Sequence, residues 1–140
     1  MHDEVFLYTD GAARRNPGPA AAGFRILSSS DDLLEERADL IGQKTNNQAE
    51  YIALIRGLRS CRAYTRGRVR VGSDSQLLVK QMQQTWKVRQ PELQSLHREA
   101  AVEAVNFESV HYRNYDRSHP QISRVDRLLN AMLDRVRDDH

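Results

Sequence analysis

The sequence lacks a second cysteine, because Cys61 is the only one among its 140 residues. A disulfide within the chain is thereby excluded. A lone cysteine in a helical pattern suits a protein of the reducing cytosol better than an exported one, and we expect Cys61 to have a packing role and not a catalytic one. Apolar runs near the roughly 20 residues of a membrane span are also missing, and the first strand begins too close to Met1 to leave room for a signal peptide. We therefore expect a soluble, cytoplasmic protein with no membrane partner.

The chain has little excess charge of either sign. Its net charge of +2 is too small to indicate a nucleic-acid partner by itself. Acidic residues are absent from residues 56–70, and the arginines that fall there are Arg56, Arg59, Arg62, Arg66, Arg68 and Arg70. Such a block suits a phosphate backbone and equally suits a solvated helix end followed by a turn, so both interpretations stay open.

Internal repeats, low-complexity tracts and linkers are missing as well. A chain of 140 residues buries about two thirds of its unfolded surface without disulfides. The sequence therefore predicts one domain over residues 1–140. Since nothing in the sequence indicates self-association, we expect a monomer.

Short apolar segments and helical periodicity alternate along the chain. The predicted strands cover residues 5–8, 20–27, 33–41, 68–71 and 107–112. The first is continuously apolar, as a central strand is, and a polar turn between the next two favours an antiparallel meander. Thr45 and Gln48 have the spacing of a capping box, which predicts a helix beginning near Thr45. Further helices are predicted around Leu78, from Pro91, and after a loop over residues 113–120, with apolar positions of the last helix running from Val125 to Val136.

This order of elements brings four acids toward one place. Strands in a run, followed by strands alternating with helices, predict an α/β fold: a mixed sheet with helices packed on its faces. Asp10 and Asp74 each follow a predicted strand, at the edge where such sheets build their sites. Glu50 falls in the first turns of one helix, and Asp126 is predicted early in the last helix, where the helix dipole favours a negative side chain.

Crowded carboxylates need a cation, because each otherwise drifts toward its protonated form. Ligands that are all oxygen suit Mg²⁺, or Mn²⁺ as a substitute, and two such ions about 3.5–4 Å apart support phosphoryl displacement. The plainer interpretations are that Asp10 caps a turn, and that the four belong with the surface majority of the 19 acids.

Amide side chains accompany these acids. Asn46, Asn47 and Gln76 lie near Glu50 and Asp74 in the sequence, and amides donate and accept hydrogen bonds at base edges and sugars. Asn16 with Gly18 predicts a turn whose backbone approaches a ligand closely. Helix capping explains Asn46 and Asn47 individually but does not explain the whole set.

Four segments carry a family resemblance: "YTDGAARRNPGP", "TNNQAEYIAL", "SDSQLLVKQM" followed by "TWKV", and "HPQISRVDRLLNAM". In this order they resemble the motifs of the ribonuclease H family, type 1 branch (RNase HI), over residues 8–133. The resemblance implies an RNase H-like fold, with a five-stranded mixed sheet of three antiparallel and two parallel strands and helices on both faces. It also implies endonucleolytic cleavage of the RNA strand of RNA–DNA hybrids with two Mg²⁺ or Mn²⁺ ions, leaving 5′-phosphate and 3′-hydroxyl ends.

The resemblance also assigns roles residue by residue. The residues that match its catalytic and metal-binding acids are Asp10, Glu50, Asp74 and Asp126. The residues that match its contacts to the hybrid are Gly11, Asn16, Thr45, Asn46, Asn47 and Gln76. These contacts would read the wide minor groove and the 2′-hydroxyls of the hybrid without sequence preference.

Two features depart from the family pattern. Many members carry a basic protrusion between the helices around Leu78 and Pro91, and "QQTWKVRQPEL" passes directly from one to the other. Fewer cationic contacts imply more salt-sensitive binding, unless the arginines of residues 56–70 compensate. Members also place a flexible histidine before the last helix, and the gap-free match here is Asp116. Two interpretations stay open: the role is missing, or a shifted loop lets His119 supply it.

Two rival functions remain at this point. One is a hybrid-binding module that has lost turnover, since a fold hosts non-catalytic domains too. The other is a nuclease of the same fold that acts on double-stranded RNA or DNA junctions, because a carboxylate cluster does not select the sugar. The four acids argue against the first, and the amide side chains argue for the hybrid.

Overall fold

The computed structural model describes residues 1–136 as an α/β sandwich of one sheet and helices on both of its faces. The strands are β1 (His2–Ala13), β2 (Gly18–Ser28), β3 (Leu33–Lys44), β4 (Thr65–Ser73) and β5 (Ser109–Asn114). The helices are α1 (Asn46–Cys61), α2 (Gln76–Met82), α3 (Pro91–Ala104) and α4 (Pro120–Leu133). No helix of this described part is long and apolar enough to cross a membrane.

The sheet has the order β3-β2-β1-β4-β5. Strands β1, β2 and β3 pair antiparallel, and β4 pairs parallel with both β1 and β5. The expected five-stranded mixed sheet is therefore confirmed. Because β1 and β4 are parallel neighbours in the sheet, the C-terminal end of their pairing lies at one edge of the sheet.

Helix α1 begins where its capping box predicts. The Thr45 Oγ1 accepts a hydrogen bond from the Gln48 backbone N–H at 3.1 Å, and the Gln48 Oε1 accepts one from the Thr45 N–H at 2.9 Å. Both bonds satisfy donors that a helix start leaves unpaired. Because Thr45 is the cap, the interpretation of Asn46 and Asn47 as caps is wrong.

The two faces of the sheet have separate cores. Helices α1, α2 and α3 bury the larger apolar cluster, which includes Leu7, Leu54 and Val71. Helix α4 packs across β1, β2 and β3 on the other face, with Val125 and Leu129 against Ala21. Small side chains on β1 and β2 let this helix approach the sheet closely.

Several boundaries differ from the sequence expectation; β5, for example, runs over Ser109–Asn114 and not over residues 107–112. Strand β1 continues through Asp10 to Ala13, because it still pairs with β2 after its pairing with β4 ends at Tyr8; Asp10 thus lies within a strand and does not cap a turn. Helix α4 begins at Pro120, so Asp126 lies in its second turn, beyond the reach of the terminal dipole. That helix ends at Leu133, which leaves Val136 outside it.

Candidate metal and nucleic-acid site

Three acids meet at the edge where β1 and β4 diverge. The last parallel pair joins Tyr8 to Gly72, and two residues further along each strand the chain reaches Asp10 and Asp74. Helix α1 contributes Glu50. One carboxylate oxygen from each of the three residues lies within 4.8 Å of the other two. Carboxylates at this spacing can share a cation.

A glycine holds two of these carboxylates in place. The Gly11 backbone N–H donates to the Asp10 Oδ1 at 3.0 Å and to the Glu50 Oε1 at 2.8 Å. A Cβ at position 11 would lie 2.3 Å from the Ala49 carbonyl carbon. Only glycine therefore allows β1 and α1 to approach closely enough for Glu50 to stand beside Asp10.

Asp126 completes the group from helix α4. It lies outside the tight group of three, but its negative charge adds to the effect of burial and of Asp74 in raising the pKa of Asp10. The Asn130 Nδ2 donates to the Asp126 Oδ2 at 3.2 Å and to its backbone oxygen at 3.0 Å. Asn130 thereby orients Asp126, a role that the sequence pattern did not reveal, although Asn130 follows Asp126 at helical spacing.

The pKa values of the three clustered acids are all raised. Burial, followed by the charges of Asp74 and Asp126, raises the pKa of Asp10 to about 8. Burial and the charge of Asp10 raise the pKa of Glu50 well above its usual range, and burial raises that of Asp74. Full ionisation is thus costly without a positive ion, and an all-oxygen donor set fits a hard divalent one.

The loop after β5 brings Arg117 to the acids. Its Nε lies 3.7 Å from the Asp74 Oδ2, and its positive charge lowers the pKa of both Asp74 and Glu50. The sequence interpretation missed Arg117. Its position between β5 and α4 was the available signal, since both elements border the site.

His119 has a structural place in the same loop. Its Nδ1 caps α4 by accepting from the Gln121 backbone N–H at 3.2 Å. Its ring centroid lies 5.2 Å from that of Tyr8 and 4.4 Å from that of Tyr115. Asp116 accepts a bond from the Ser118 N–H at 3.3 Å. The assignment of the family's histidine role to either residue stays a prediction.

The predicted substrate contacts outside β1 lie on the turn that follows it and at the starts of α1 and α2. The Asn46 Oδ1 accepts from the Ala13 N–H at 2.8 Å, and the Asn16 Oδ1 accepts from the Asn46 N–H at 3.0 Å. These bonds tie the turn at residues 14–17 to the start of α1, where the half-buried Asn47 follows. Gln76 is exposed at the first position of α2. Their role in binding remains a prediction.

The arginines of residues 56–70 are partly neutralised within the described chain. Arg59 pairs with Glu99 and Glu103 at 2.9 and 2.8 Å. Arg68 and Arg70 share Glu4, and Arg56 lies 3.7 Å from Asp39, whereas Arg62 and Arg66 are exposed. Internal pairing reduces the charge that this block offers to a phosphate backbone.

Residues 83–90 join α2 to α3 directly, without a helix between them. The expected absence of a basic protrusion therefore agrees with the order of elements in the described chain. Trp86 in this connection is 44% exposed, so the connection presents an aromatic side chain to solvent.

Comparison with known proteins places this fold and acid cluster in one class. Residues 8–124 match the family described as reverse transcriptase-like. The chain is 36% identical to ribonuclease HI of Halobacterium salinarum over 93% of its own length and 64% of that relative. The crystal structure of RNase H1 from the same archaeon superposes with a TM-score of 0.89 and 35% identity, over 95% of this chain and 99% of that one.

A second structure has a bound nucleic acid. LC11-RNase H1, isolated from compost and solved in complex with an RNA/DNA hybrid, matches with a TM-score of 0.84 and 34% identity, over 91% of this chain and 94% of that one. The chain belongs to the ribonuclease H family, in its type 1 branch.

Proposed function

We propose that this protein cleaves the RNA strand of RNA–DNA hybrids endonucleolytically and leaves 5′-phosphate and 3′-hydroxyl ends. The observation that carries the proposal is the meeting of Asp10, Glu50 and Asp74 within 4.8 Å, with Asp126 beside Asp10. The similar LC11-RNase H1 structure with a bound RNA/DNA hybrid supports the choice of substrate.

Two Mg²⁺ ions, with Mn²⁺ as a substitute, are the proposed cofactors. The residues that would hold them are Asp10, Glu50, Asp74 and Asp126. When bound, the ions supply an activated water and stabilise the leaving oxygen of the phosphodiester. Burial first, and the charges of neighbouring carboxylates second, raise the pKa values of Asp10 and Glu50, and a bound divalent cation would favour the ionised forms of both.

The chain's own groups keep the carboxylates in position. The Gly11 N–H holds Asp10 and Glu50 together, and the Asn130 side chain holds Asp126 within helix α4. Such partners commonly change metal affinity or activity by about 10–100-fold when removed.

The substrate contacts are proposed from their places around the acids. They comprise Gly11, Asn16, Thr45, Asn46, Asn47 and Gln76. Amide groups at the starts of α1 and α2 would reach the minor groove of the hybrid, where 2′-hydroxyls distinguish the RNA strand. Because this recognition uses sugars and shape, we expect cleavage with little sequence preference.

A hybrid-cleavage assay tests the proposal. Asp10→Asn removes a charge with little change of shape, and we expect the Mg²⁺-dependent rate to fall more than about 100-fold, beyond the loss from a supporting residue. Asp32→Asn, at an exposed position of the β2–β3 turn, is the matched control and should retain the wild-type rate. Undiminished cleavage by Asp10→Asn would remove this residue from the site.

A substrate panel distinguishes the rival functions. Hybrid, double-stranded RNA and double-stranded DNA are offered at equal concentration across a Mg²⁺ and Mn²⁺ titration. Preference for the hybrid supports the proposal, whereas preference for either other duplex makes the protein a different nuclease. Binding of the hybrid without cleavage in any metal would make it a binding module.

We also propose that the protein acts as a cytoplasmic monomer, with the domain spanning residues 1–140. Cys61 is buried, and burial raises the pKa of its thiol to about 12, so it is chemically inert and compatible with a reducing compartment. Sedimentation at working concentration tests the monomer; a stable dimer would contradict it.

A further inference from the structure

One half of a sheet face has the composition of a binding surface. On the face where α4 packs across β1, β2 and β3, the neighbouring strands β4 and β5 expose Arg70, His111 and Arg113 to solvent. These side chains border a groove of about 470 Å³ whose lining also includes Phe6, Tyr8 and Tyr115. We call this feature the open-sheet groove.

The strand register builds the groove in two rows. Phe6, Arg70 and His111 lie side by side across β1, β4 and β5, and Tyr8 lies in the next row with Gly72 and Arg113. A glycine in the middle of the second row has a steric reason. A Cβ there would lie 2.8 Å from the Tyr115 ring and 2.9 Å from the Tyr8 ring, so position 72 leaves room for both aromatic side chains.

The groove is cationic, and its lining contains no acidic residue. Arg68 and Arg70 of β4 share the single carboxylate of Glu4. One carboxylate cannot neutralise two guanidinium groups, so this group of three side chains keeps a net positive charge. The Arg113 guanidinium lies 5.0 Å from the centre of the Tyr115 ring. Guanidinium groups beside aromatic rings are the combination that binds phosphates and stacks bases.

The groove leads away from the acid cluster. Tyr8 and Gly72 each precede an acid of the cluster by two residues, which is a distance of about 7 Å along a strand. The rings of Tyr115 and His119 lie against Tyr8 in the row nearest the acids, so a nucleic-acid strand that leaves the acids along β1 and β4 would pass these rings before it reached Arg70. Inside a duplex, stacking hides the faces of the bases, so aromatic rings of this kind suit an unpaired strand.

We propose that the open-sheet groove binds a single-stranded nucleic-acid segment that flanks the hybrid, with Arg70 and Arg113 at its phosphates and Tyr115 against its bases. The role as a flanking site rests on the proposed function, because it assumes a hybrid at the acids. Binding of a free single strand does not depend on that assumption.

Fluorescence anisotropy with labelled single strands of about 8 nucleotides tests the groove. The full chain is titrated separately into labelled oligo(dT) and oligo(U), in EDTA so that cleavage does not interfere, at low salt and at a series of higher salt concentrations. We expect Tyr115→Ala to weaken binding at least fivefold, as loss of a stacking ring does, and Tyr115→Phe to stay within about twofold of wild type. We expect Arg113→Ala to weaken binding about fivefold and to reduce the salt dependence.

Arg98→Ala is the matched charge control, because Arg98 is exposed on α3, which packs on the other face of the sheet. Equal losses in Arg98→Ala and Arg113→Ala would show nonspecific electrostatics and overturn the proposal. Absence of single-strand binding by the wild type would also overturn it. Tighter binding of oligo(U) than of oligo(dT) assigns the groove to the RNA strand. Equal binding of the two means that the groove accepts a single strand of either RNA or DNA. Both outcomes support a single-strand site.

A cleavage comparison tests the flanking role. Blunt hybrid and hybrid with a single-stranded RNA extension at either end are cut by wild type and Arg113→Ala. We expect KM for one extended substrate to rise at least threefold in the variant, with KM for the blunt hybrid unchanged. Equal effects on all substrates would contradict the flanking role. If no hybrid is cut at all, the proposed function fails, while the anisotropy titration still decides whether the groove binds single strands.

Discussion

At the scale of single residues, Gly11 links strand packing to the acid cluster. We expect Gly11→Ala to lower the free energy of unfolding by about 1–3 kcal/mol, the usual cost of overpacking, because its Cβ would meet the Ala49 backbone at 2.3 Å. We also expect weaker Mg²⁺ binding, since α1 must move and carry Glu50 away. Urea unfolding and calorimetric Mg²⁺ titration measure the two effects.

Gly42→Ala is the control for this substitution. Gly42 has a φ of +81° and no neighbour within 4 Å of an added Cβ, so alanine there costs backbone strain of about 1–2 kcal/mol without moving Glu50. Loss of stability with unchanged Mg²⁺ affinity is expected in this variant. If Gly11→Ala also leaves the Mg²⁺ affinity unchanged, Gly11 does not position the metal-binding carboxylates.

Arg117 offers a second prediction at this scale. A guanidinium 3.7 Å from Asp74 opposes the binding of another cation, and the effect is modest because the Arg117 side chain is 80% exposed. We expect Arg117→Ala to strengthen Mg²⁺ binding about two- to threefold, within the range of exposed ion pairs, and Arg117→Lys to stay near wild type. Calorimetry at pH 9 measures both; equal or weaker affinity in Arg117→Ala would contradict the prediction.

At the scale of elements, helix α1 shows how a local signal positions a distant group. Its capping bonds use Thr45 and Gln48, and one turn later the helix presents Glu50 to the sheet. We expect Thr45→Ala to lower the free energy of unfolding by about 1 kcal/mol and Thr45→Ser to preserve it. Thermal unfolding measures this, and equal melting temperatures for the two variants would show that the cap contributes nothing.

The elements also show which parts of the molecule could be predicted from sequence. The start of α1 was predictable because its capping box is local, and the meeting of Asp10 with Asp74 followed from two strands ending at one edge. The extension of β1 through Asp10 was not, since it depends on pairing with β2. Arg117 was missed because its position depends on the path of the loop between β5 and α4, which local patterns do not specify.

At the scale of the whole molecule, the acid cluster makes stability depend on pH and metal. Burial and neighbouring acids raise the pKa of Asp10 from 3.8 to about 8, so between these values the folded state binds more protons than the unfolded state. Protonation of Asp10 therefore stabilises the folded state. This contribution is lost progressively as pH rises from 3.8 through about 8. The raised pKa values of Glu50 and Asp74 act in the same direction.

We therefore expect the free energy of unfolding in EDTA to fall between pH 5 and pH 9 more steeply for wild type than for Asp10→Asn. At pH 9 the variant should be the more stable by at least about 1.4 kcal/mol, the equivalent of one pKa unit. Saturating Mg²⁺ should reverse the order, since a ligand at 100 times its Kd adds about 2.7 kcal/mol to the protein that binds it. Urea unfolding at each pH, with Asp32→Asn as control, measures these differences; parallel pH profiles in EDTA would mean that the Asp10 carboxyl is not buried beside other carboxylates.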